Sequence, residues 1–451
     1  MKSHQFPALI LGLLLFTGGG SSFAEEPLTL RQAIDMAMAQ NAEVAVAQAD
    51  GKVAQAEARS ARTNLLPSLQ FTEDISRGND PVYAFGTRLR QGAFTQADFG
   101  LNALNRPEAI GNFSTRFSGS WTAFDSFKTQ REIRRADLSE KSAALASRSV
   151  NQRIALDVVR AYQSILYAQR EVEVAQHEQE TASALLSAVE ERVKAGLAVE
   201  SDQMLAEVNS AARRQDLIVA EGDMQLAWAD LREAVGSPQL QISGLKALEP
   251  RTYPEAALEE ELGSAMKARP DLLALAESQA AQAVGVKAAK SALGPRVNAY
   301  GNWEEDRGAL DRSGGNNWTV GAQVSIDILP LGKRAQLAQE NAAQERVNAQ
   351  AALSMQRARL EVTRAHIRRQ TEKLSMATAQ AAMEQSAESL RIVRNRYRAG
   401  LATITDLLRA EDAERQSQSN YWHAVYGNVV AYAELLFATG NLTPEAAEVL
   451  Q

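Results

Sequence analysis

The sequence contains the same short stretch twice, as RVKAGLA at residues 192–198 and RYRAGLA at residues 396–402. The offset of 204 residues continues downstream, where Asp202 matches Asp406. Upstream, AMAQNAEV at 37–44 resembles AMKARPDL at 265–272, now at an offset of 228. Two halves of about 200 residues therefore share one layout, and a repeat of this length indicates a duplicated half-domain, not a solenoid unit.

The repeat divides the chain after residue 24 into three predicted segments. The first structural repeat, at 25–240, is expected to contain a helix, a β-hairpin and a long helical hairpin, and the second repeat, at 261–451, has the same layout. A linker or equatorial segment at 241–260 joins them. The first repeat carries 24 extra residues, which we place within 79–111 as a longer loop at the outer tip of its β-hairpin, unless part of them extends the strands.

Long helices are predicted on both sides of the repeated stretch. No proline occurs from 129 to 195 or from 333 to 399, and 67 residues of unbroken helix would span about 100 Å. Gly196 and Gly400 are expected to end these helices with a positive φ, because glycine tolerates that conformation. Thr403 and Asp406 then have the spacing of a capping box for the next helix. The segment 28–64 has the apolar spacing of a single helix.

The composition argues against an enzyme. The chain of 451 residues is rich in alanine, has no cysteine and carries a net charge of −7, which favours neither thiol chemistry nor nucleic-acid binding. No P-loop, GxSxG or dinucleotide motif occurs, so no cofactor or metal is expected. The histidines His177, His366 and His423 are interpreted as surface residues, and the pair Arg368 and Arg369 as part of a solvated helix face.

Residues 1–24 have the features of a secretory signal peptide. An apolar run, ALILGLLLF at 8–16, is followed by Ser22-Phe23-Ala24, which resembles a cleavage site. The run is shorter than the roughly 20 residues that a membrane-spanning helix needs. No later segment holds 18 consecutive apolar residues, so we expect an exported protein that enters a membrane only through β-strands.

Alternating segments supply those strands. Eight of the twelve phenylalanines lie between Phe71 and Phe127, in the same region as the alternation. The apolar positions are Leu69, Phe71, Ile75, Phe113, Phe117, Trp121, Val297, Trp303, Trp318, Val320, Val324, Ile326 and Ile328. A half-buried sheet on a soluble domain would show the same alternation. If the strands are in a membrane, four per chain cannot close a barrel, since bacterial barrels have at least about eight, and the chain must oligomerise.

The order of these features resembles the outer-membrane efflux protein family, the TolC-like outer membrane factors. The resemblance covers the whole mature sequence and is carried by Phe124-Asp125 after the strands, by Arg396-Tyr397-x-x-Gly400-Leu401 and by Asp406-Leu407-Leu408. It implies an α+β membrane protein: a homotrimer whose 12-stranded β-barrel, four strands per chain, continues as a long periplasmic α-helical barrel with internal duplication.

The resemblance also implies a function and partners. Family members are exit ducts of tripartite efflux or type I secretion systems in the outer membrane, and they conduct substrates passively from the periplasm to the outside. They dock to a periplasmic adaptor (a membrane fusion protein) and an inner-membrane transporter, and they contact outer-membrane lipid but no nucleic acid. The alternative is a soluble exported coiled-coil scaffold or adaptor without a pore.

The resemblance places adaptor contacts at the tips of the two helical hairpins. These contacts are expected at Gly196, Leu197, Gly400 and Leu401. The glycines also have a structural role as helix stops.

The resemblance places a pore constriction beside the same tips. Asp202 and Tyr397 match positions that keep the tip closed, although Ala402 stands where an arginine is expected. Asp406 matches an acidic constriction position, and Arg409 replaces the second acid, so cation preference is in question. The alternative for both aspartates is stabilisation of the first helical turn, worth roughly 0.3–1 kcal/mol.

Overall fold

The computed structural model describes residues 28–239, 244–245 and 248–450. The predicted signal peptide at 1–24 and part of the predicted linker lie outside these residues. Apart from additional helices between the first two strands, each half of the described chain has two helices, two strands and a long helical hairpin in this order, as the sequence repeat predicts.

Four strands form one antiparallel sheet in the order β1-β2-β3-β4. Their bounds are β1 Ser68–Gly78, β2 Ile110–Phe124, β3 Arg296–Arg307 and β4 Gly315–Ser325. Each half supplies one hairpin, and the pairing of β2 with β3 joins the two hairpins. The fourth strand is shorter than its alternating pattern predicted, since Ile326 and Ile328 follow the strand.

Two long antiparallel helical hairpins dominate the rest of the chain. Helix α5, Lys128–Lys194, has 67 residues and is followed by α6, Glu200–Val235. Helix α9, Leu331–Arg398, has 68 residues and is followed by α10, Ile404–Ala438. These bounds agree with the proline-free runs and with the glycine stops. Among the described residues, no helix carries an apolar stretch that would let it cross a bilayer.

The single helix predicted over 28–64 is wrong, because the chain forms two helices there, α1 Leu30–Gln40 and α2 Ala42–Thr63. Asn41 interrupts them with ψ 130°, and its side chain accepts a hydrogen bond from the backbone of Glu43. Its Nδ2 also donates to the carbonyl oxygen of Ala234 at 2.9 Å. The break is therefore held by the end of α6.

The second half repeats this break at Arg269, between α7 Leu258–Ala268 and α8 Pro270–Ser291. In each half a left-handed glycine lies against the break: Gly236 (φ +78°) against Asn41, and Gly440 (φ +77°) against Arg269. A Cβ on Gly236 would lie 2.7 Å from the Cα of Asn41, and one on Gly440 would lie 2.8 Å from that of Arg269. Only glycine permits both the backbone conformation and this close approach.

The extra residues of the first half lie between β1 and β2, as expected, but they are largely helical. They form α3 Pro81–Arg90 and the short α4 Leu101–Asn105. Three phenylalanines pack together in this segment, Phe85 on Phe94 and Phe94 on Phe99, with ring centroids 4.7 and 5.1 Å apart. These three rings therefore do not belong to the strands, although they contribute to the phenylalanine enrichment of the region.

The main apolar core lies where the middle of α5 meets α1 and the ends of α6 and α10. Its largest fully buried side chains include Tyr162, Leu30, Ile34, Ile165 and Leu231. The hydroxyl of Tyr162 donates to the carbonyl oxygen of Leu28 at 2.8 Å. A short C-terminal helix, α11 Pro444–Ala447, packs near α1.

Candidate functional site

One face of the sheet carries a row of aromatic side chains across all four strands. The register aligns Phe71 with Phe117, Phe117 with Trp303 and Trp303 with Trp318. The ring centroids of the first two pairs are 5.2 and 5.9 Å apart. All four rings are exposed in the single chain, from 37% for Trp303 to 70% for Trp318. Further exposed apolar side chains extend the same face below the row: Leu69, Trp121, Val320 and Val324.

The opposite face of the sheet is polar. Arg116 donates through Nη2 to Oε1 of Glu304 at 2.7 Å, and the hydroxyl of Ser114 donates to the same oxygen at 2.8 Å. At the outer end, Nδ2 of Asn112 donates to Oδ1 of the buried Asp306 at 2.6 Å. A sheet with one exposed apolar face and one polar face is typical of a barrel wall between lipid and an aqueous lumen.

Strands β1 and β4 are the edges of this sheet in the single chain. Their outward N–H and C=O groups need partners, because an unpaired backbone group in hydrocarbon costs several kcal/mol. An edge strand with exposed apolar residues such as Phe71 and Trp318 therefore requires another chain.

Each helical hairpin ends in the same turn. The N–H of Gly196 donates to the carbonyl of Val193, and the N–H of Leu197 to that of Arg192. The second tip repeats both bonds at the offset of 204, from Gly400 and Leu401. Both glycines have φ +72°, as predicted. This Schellman motif leaves Leu197 and Leu401 71% and 69% exposed at the two tips.

The helices that follow the tips begin differently. Thr403 and Asp406 form the predicted capping box of α10, in which Oδ2 of Asp406 accepts from the backbone N–H and the hydroxyl of Thr403 at 3.0 and 2.8 Å. These two bonds hold the pKa of Asp406 below its ordinary value of 3.8. Helix α6 has no such box, because Val199 stands at its N-cap. Asp202 therefore lies in the first turn of α6 without the capping box that Asp406 forms in α10.

Tyr397 lies where the two hairpins meet. It packs against a small apolar cluster formed by Val189, Ala206 and Ile404. The guanidinium of Arg192, from the first hairpin, lies 5.3 Å from its ring centroid. Arg192 was not singled out from the sequence, because a cation–π contact across 205 residues leaves no local pattern.

Around the predicted constriction, the described residues show no hydrogen bond or ion pair that joins Asp202 to Tyr397 or Asp406 to Arg409. Asp406 and Arg409 are both exposed in the single chain. The positive charge of Arg409 also lowers the pKa of Asp406, but by less than the two hydrogen bonds from Thr403 do. Ala402 offers no polar side chain for a closing contact.

Buried carboxyl groups lie further up the hairpins. Glu178, Glu411 and Glu414 are 7%, 6% and 7% exposed. Burial raises the pKa of Glu178, and the neighbouring carboxyls of Glu414 and Glu411 raise it further. Burial also raises the pKa of Glu411, although Arg394, 3.4 Å away, opposes this.

Two interpretations of polar residues from the sequence are wrong. His366 is not a free surface residue, because its Nδ1 lies 2.8 Å from Oε2 of Glu261 in a largely buried pair. Arg369 is 5% exposed, donates to Oδ1 of Asn428 at 3.0 Å and lies over the ring of Tyr253. Within the described chain, no group of three or more potential ligands could hold a metal ion.

The sequence pattern of the outer membrane efflux protein family matches residues 33–237 and 262–441. The chain belongs to the outer membrane efflux protein family. This match covers both repeats and confirms the resemblance. Relatives of this chain are named outer membrane proteins, which agrees with the outer-membrane location predicted from the sequence.

The similarity to individual relatives extends over nearly the whole chain. The outer membrane protein OprJ of Pseudomonas aeruginosa is 24% identical over 434 residues, which are 91% of this chain and 84% of OprJ. The outer membrane efflux protein BepC of Brucella suis is 23% identical and covers 92% of this chain and 86% of its own length. The solved structure of the outer-membrane channel OprN superposes with a TM-score of 0.78, at 20% identity, over 92% of this chain and 90% of that one. The predicted α+β fold class is confirmed.

The buried carboxyl of Glu178 predicts a pH-dependent gain in stability for Glu178→Gln. Because the pKa is raised in the folded protein, the ionised group destabilises the fold at pH 7–8, and the variant removes that cost. The gain should shrink as pH falls through the raised pKa and vanish below the ordinary value of 4.5. Thermal unfolding of wild type, Glu178→Gln and the exposed control Glu180→Gln checks this. A gain that is equal at all pH values would contradict it.

The two faces of the sheet predict opposite tolerance of charge at adjacent positions. Val320 lies on the apolar face and Thr319 on the polar face of β4. Val320→Arg should lower stability in lipid by about 2–4 kcal/mol, whereas Thr319→Arg should change it by much less. Urea unfolding of the two variants in lipid vesicles measures the difference. Equal effects would mean that the apolar face does not contact lipid.

Proposed function

We propose that the chain is the outer-membrane exit duct of a tripartite efflux or type I secretion system. The single observation that carries this proposal is a four-stranded sheet with an exposed apolar face and two open edges, continued by helical hairpins whose longer helices have 67 and 68 residues. At 1.5 Å per residue such helices reach about 100 Å, enough to extend far from a membrane.

A homotrimer supplies the missing partners of the edge strands. Three copies give twelve strands, an even number within the range of bacterial barrels, whereas two copies give the minimum of about eight. The resemblance to the family favours three, and the helices of the three copies would then continue the barrel as a periplasmic tunnel. Residues 1–24 fit the signal peptide that export to this location requires.

Transport through this duct is passive in our proposal. The sequence has no P-loop, so the driving force has to come from an inner-membrane transporter, joined through a periplasmic adaptor. The exposed Leu197 and Leu401, held outward by the two glycine turns, support adaptor contacts at the tips.

The constriction is proposed to lie beside these tips. Asp406 and Arg409 lie on the first turns of α10, and Asp202 lies at the matched position of α6. Tyr397 links the hairpins, because the apolar cluster that it packs against contains Ile404 of the second hairpin and Val189 and Ala206 of the first. Asp406 has two roles in this account, since its carboxylate caps α10 and also contributes charge to the pore.

The alternative, a soluble coiled-coil scaffold or adaptor, needs its sheet to be covered. In the described part of the chain the strands form one sheet, and side chains such as Phe71 and Trp318 on its apolar face remain 60% and 70% exposed. A soluble monomer would leave this surface in water, which is an aggregation hazard. The duct therefore accounts for the sheet better than the scaffold.

Planar-bilayer recording tests the proposal. We expect a steady pore current from detergent-extracted trimers, and a conductance or cation preference that changes in Asp406→Asn, which removes the charge but keeps a capping acceptor. Asp50→Asn, an exposed change on α2, is the control and should change neither. Recovery of the protein as a soluble periplasmic monomer without pore current would contradict the duct. Unchanged conductance and selectivity in Asp406→Asn would leave Asp406 as a helix cap alone.

A further inference from the structure

The two hairpin tips carry opposite charge at matched positions. Residues 187–207, around the first tip, contain five acidic and two basic side chains, a net charge of −3. Residues 391–411, around the second tip, contain two acidic and five basic side chains, a net charge of +3. The backbone of the two turns is the same, so the difference between the tips is electrostatic.

Part of the positive charge on the second tip is neutralised within the chain. Arg391 pairs with Glu388 at 2.6 Å, and Arg394 pairs with Glu411 at 3.4 Å. Arg396, Arg398 and Arg409 remain exposed. Among the described residues none of these three arginines forms an ion pair.

Arg396 is held across the turn itself. Its Nη2 lies 3.4 Å from the carbonyl oxygen of Leu401, and the nearby carboxylate of Asp406 offsets part of its charge and part of that of Arg409. The side chain of Leu401 is 69% exposed, and Arg398, three residues before it, is exposed as well.

The first tip keeps its acidic groups. Lys194 is neutralised by Glu191 at 2.8 Å, and Arg192 lies over the ring of Tyr397. Glu200 and Asp202 open α6 as first-turn acids with no ion pair in the described chain. The acidic tip therefore remains acidic after its internal pairs are counted.

The two tips lie side by side at one end of the molecule. Val189 of α5, Ala206 of α6 and Ile404 of α10 share one apolar cluster just behind the turns. The contact of Arg192 with Tyr397 joins the hairpins at the same level. A partner that approaches this end meets an acidic and a basic surface next to each other.

We propose that the basic tip, formed by Arg396 and Arg398 beside Leu401, is the docking surface for an acidic helical-hairpin tip of the periplasmic adaptor, and that the acidic tip is not equivalent to it. This inference rests on the proposed function and adds the chemistry of the partner. In a trimer, the six tips would alternate in charge and would fix the register in which adaptors dock, since electrostatic complementarity specifies orientation and suppresses wrong pairings.

A protein partner suits this surface better than a small anion does. Arg398 lines a groove with Leu197 and Tyr397, and Leu401 is exposed nearby in the sequence, so that apolar surface lies beside charge, as is usual at a protein interface. The three exposed arginines together with Asp406 leave a net charge of +2 at this tip, which is expected to give roughly tenfold discrimination between an acidic and a basic partner.

The test uses the full-length protein in lipid nanodiscs and a pair of synthetic probes. Both probes are the same antiparallel two-helix coiled coil, with three glutamates at the tip of one and three lysines at the tip of the other. Biolayer interferometry at low and high salt measures their binding. We expect the glutamate probe to bind about tenfold more tightly than the lysine probe, with the preference lost at high salt.

Matched variants separate the two tips. Arg398→Glu should abolish most of the preference for the glutamate probe. Lys194→Glu, at the position that corresponds to Arg398 in the first hairpin, should leave that preference unchanged. Equal binding of both probes to wild type, or an equal loss in Lys194→Glu, would overturn the inference.

A pore recording of the same preparations distinguishes this inference from the proposed function. Steady current without discrimination between the probes would remove only the docking inference, whereas absence of current would remove the proposed function. If Arg398→Glu changes the current without any probe and leaves probe binding intact, the basic tip instead contacts the acidic tip of a neighbouring copy. That result would also overturn the inference.

Discussion

The unpaired backbone of the two edge strands is the constraint on which the rest of the structure depends. Strands β1 and β4 present open hydrogen-bonding edges, and the apolar face between them is exposed. In hydrocarbon those edges have to be paired, so the chain completes its sheet only with further copies. The internal duplication contributes to the same requirement, because each half supplies one hairpin and an isolated two-stranded hairpin is marginally stable at best in water.

The duplicated halves share their backbone but differ in their side chains. Gly236 and Gly440 let the ends of α6 and α10 approach the helix breaks at Asn41 and Arg269, so both halves cross in the same way. At the opposite end of the hairpins the same Schellman turns carry acidic groups in one half and arginines in the other. The two halves therefore share the backbone geometry of their hairpins and differ in the surface charge of their tips.

Much of this architecture could be predicted from sequence, because its signals are local. Gly196 ends a proline-free run, and alternating apolar residues mark strands. The break at Asn41 was missed because the helical periodicity continues through it. In the second half, Pro270 at the matched place did indicate a break, because the residue before a proline is disfavoured in a helix. The pair His366 and Glu261 joins residues 105 positions apart, and no local pattern encodes it.

Cross-linking between the edge strands tests the central claim most directly, and the chain has no cysteine of its own to interfere. Single cysteines on the polar face of β1, at Gln70, Thr72 or Asp74, would each be combined with Thr319→Cys in β4. Oxidation in outer membranes should give a covalent trimer for the pair in register and no larger species. Monomers alone for every pair, an intrachain bond, or a ladder of open polymers would contradict a barrel closed by three chains.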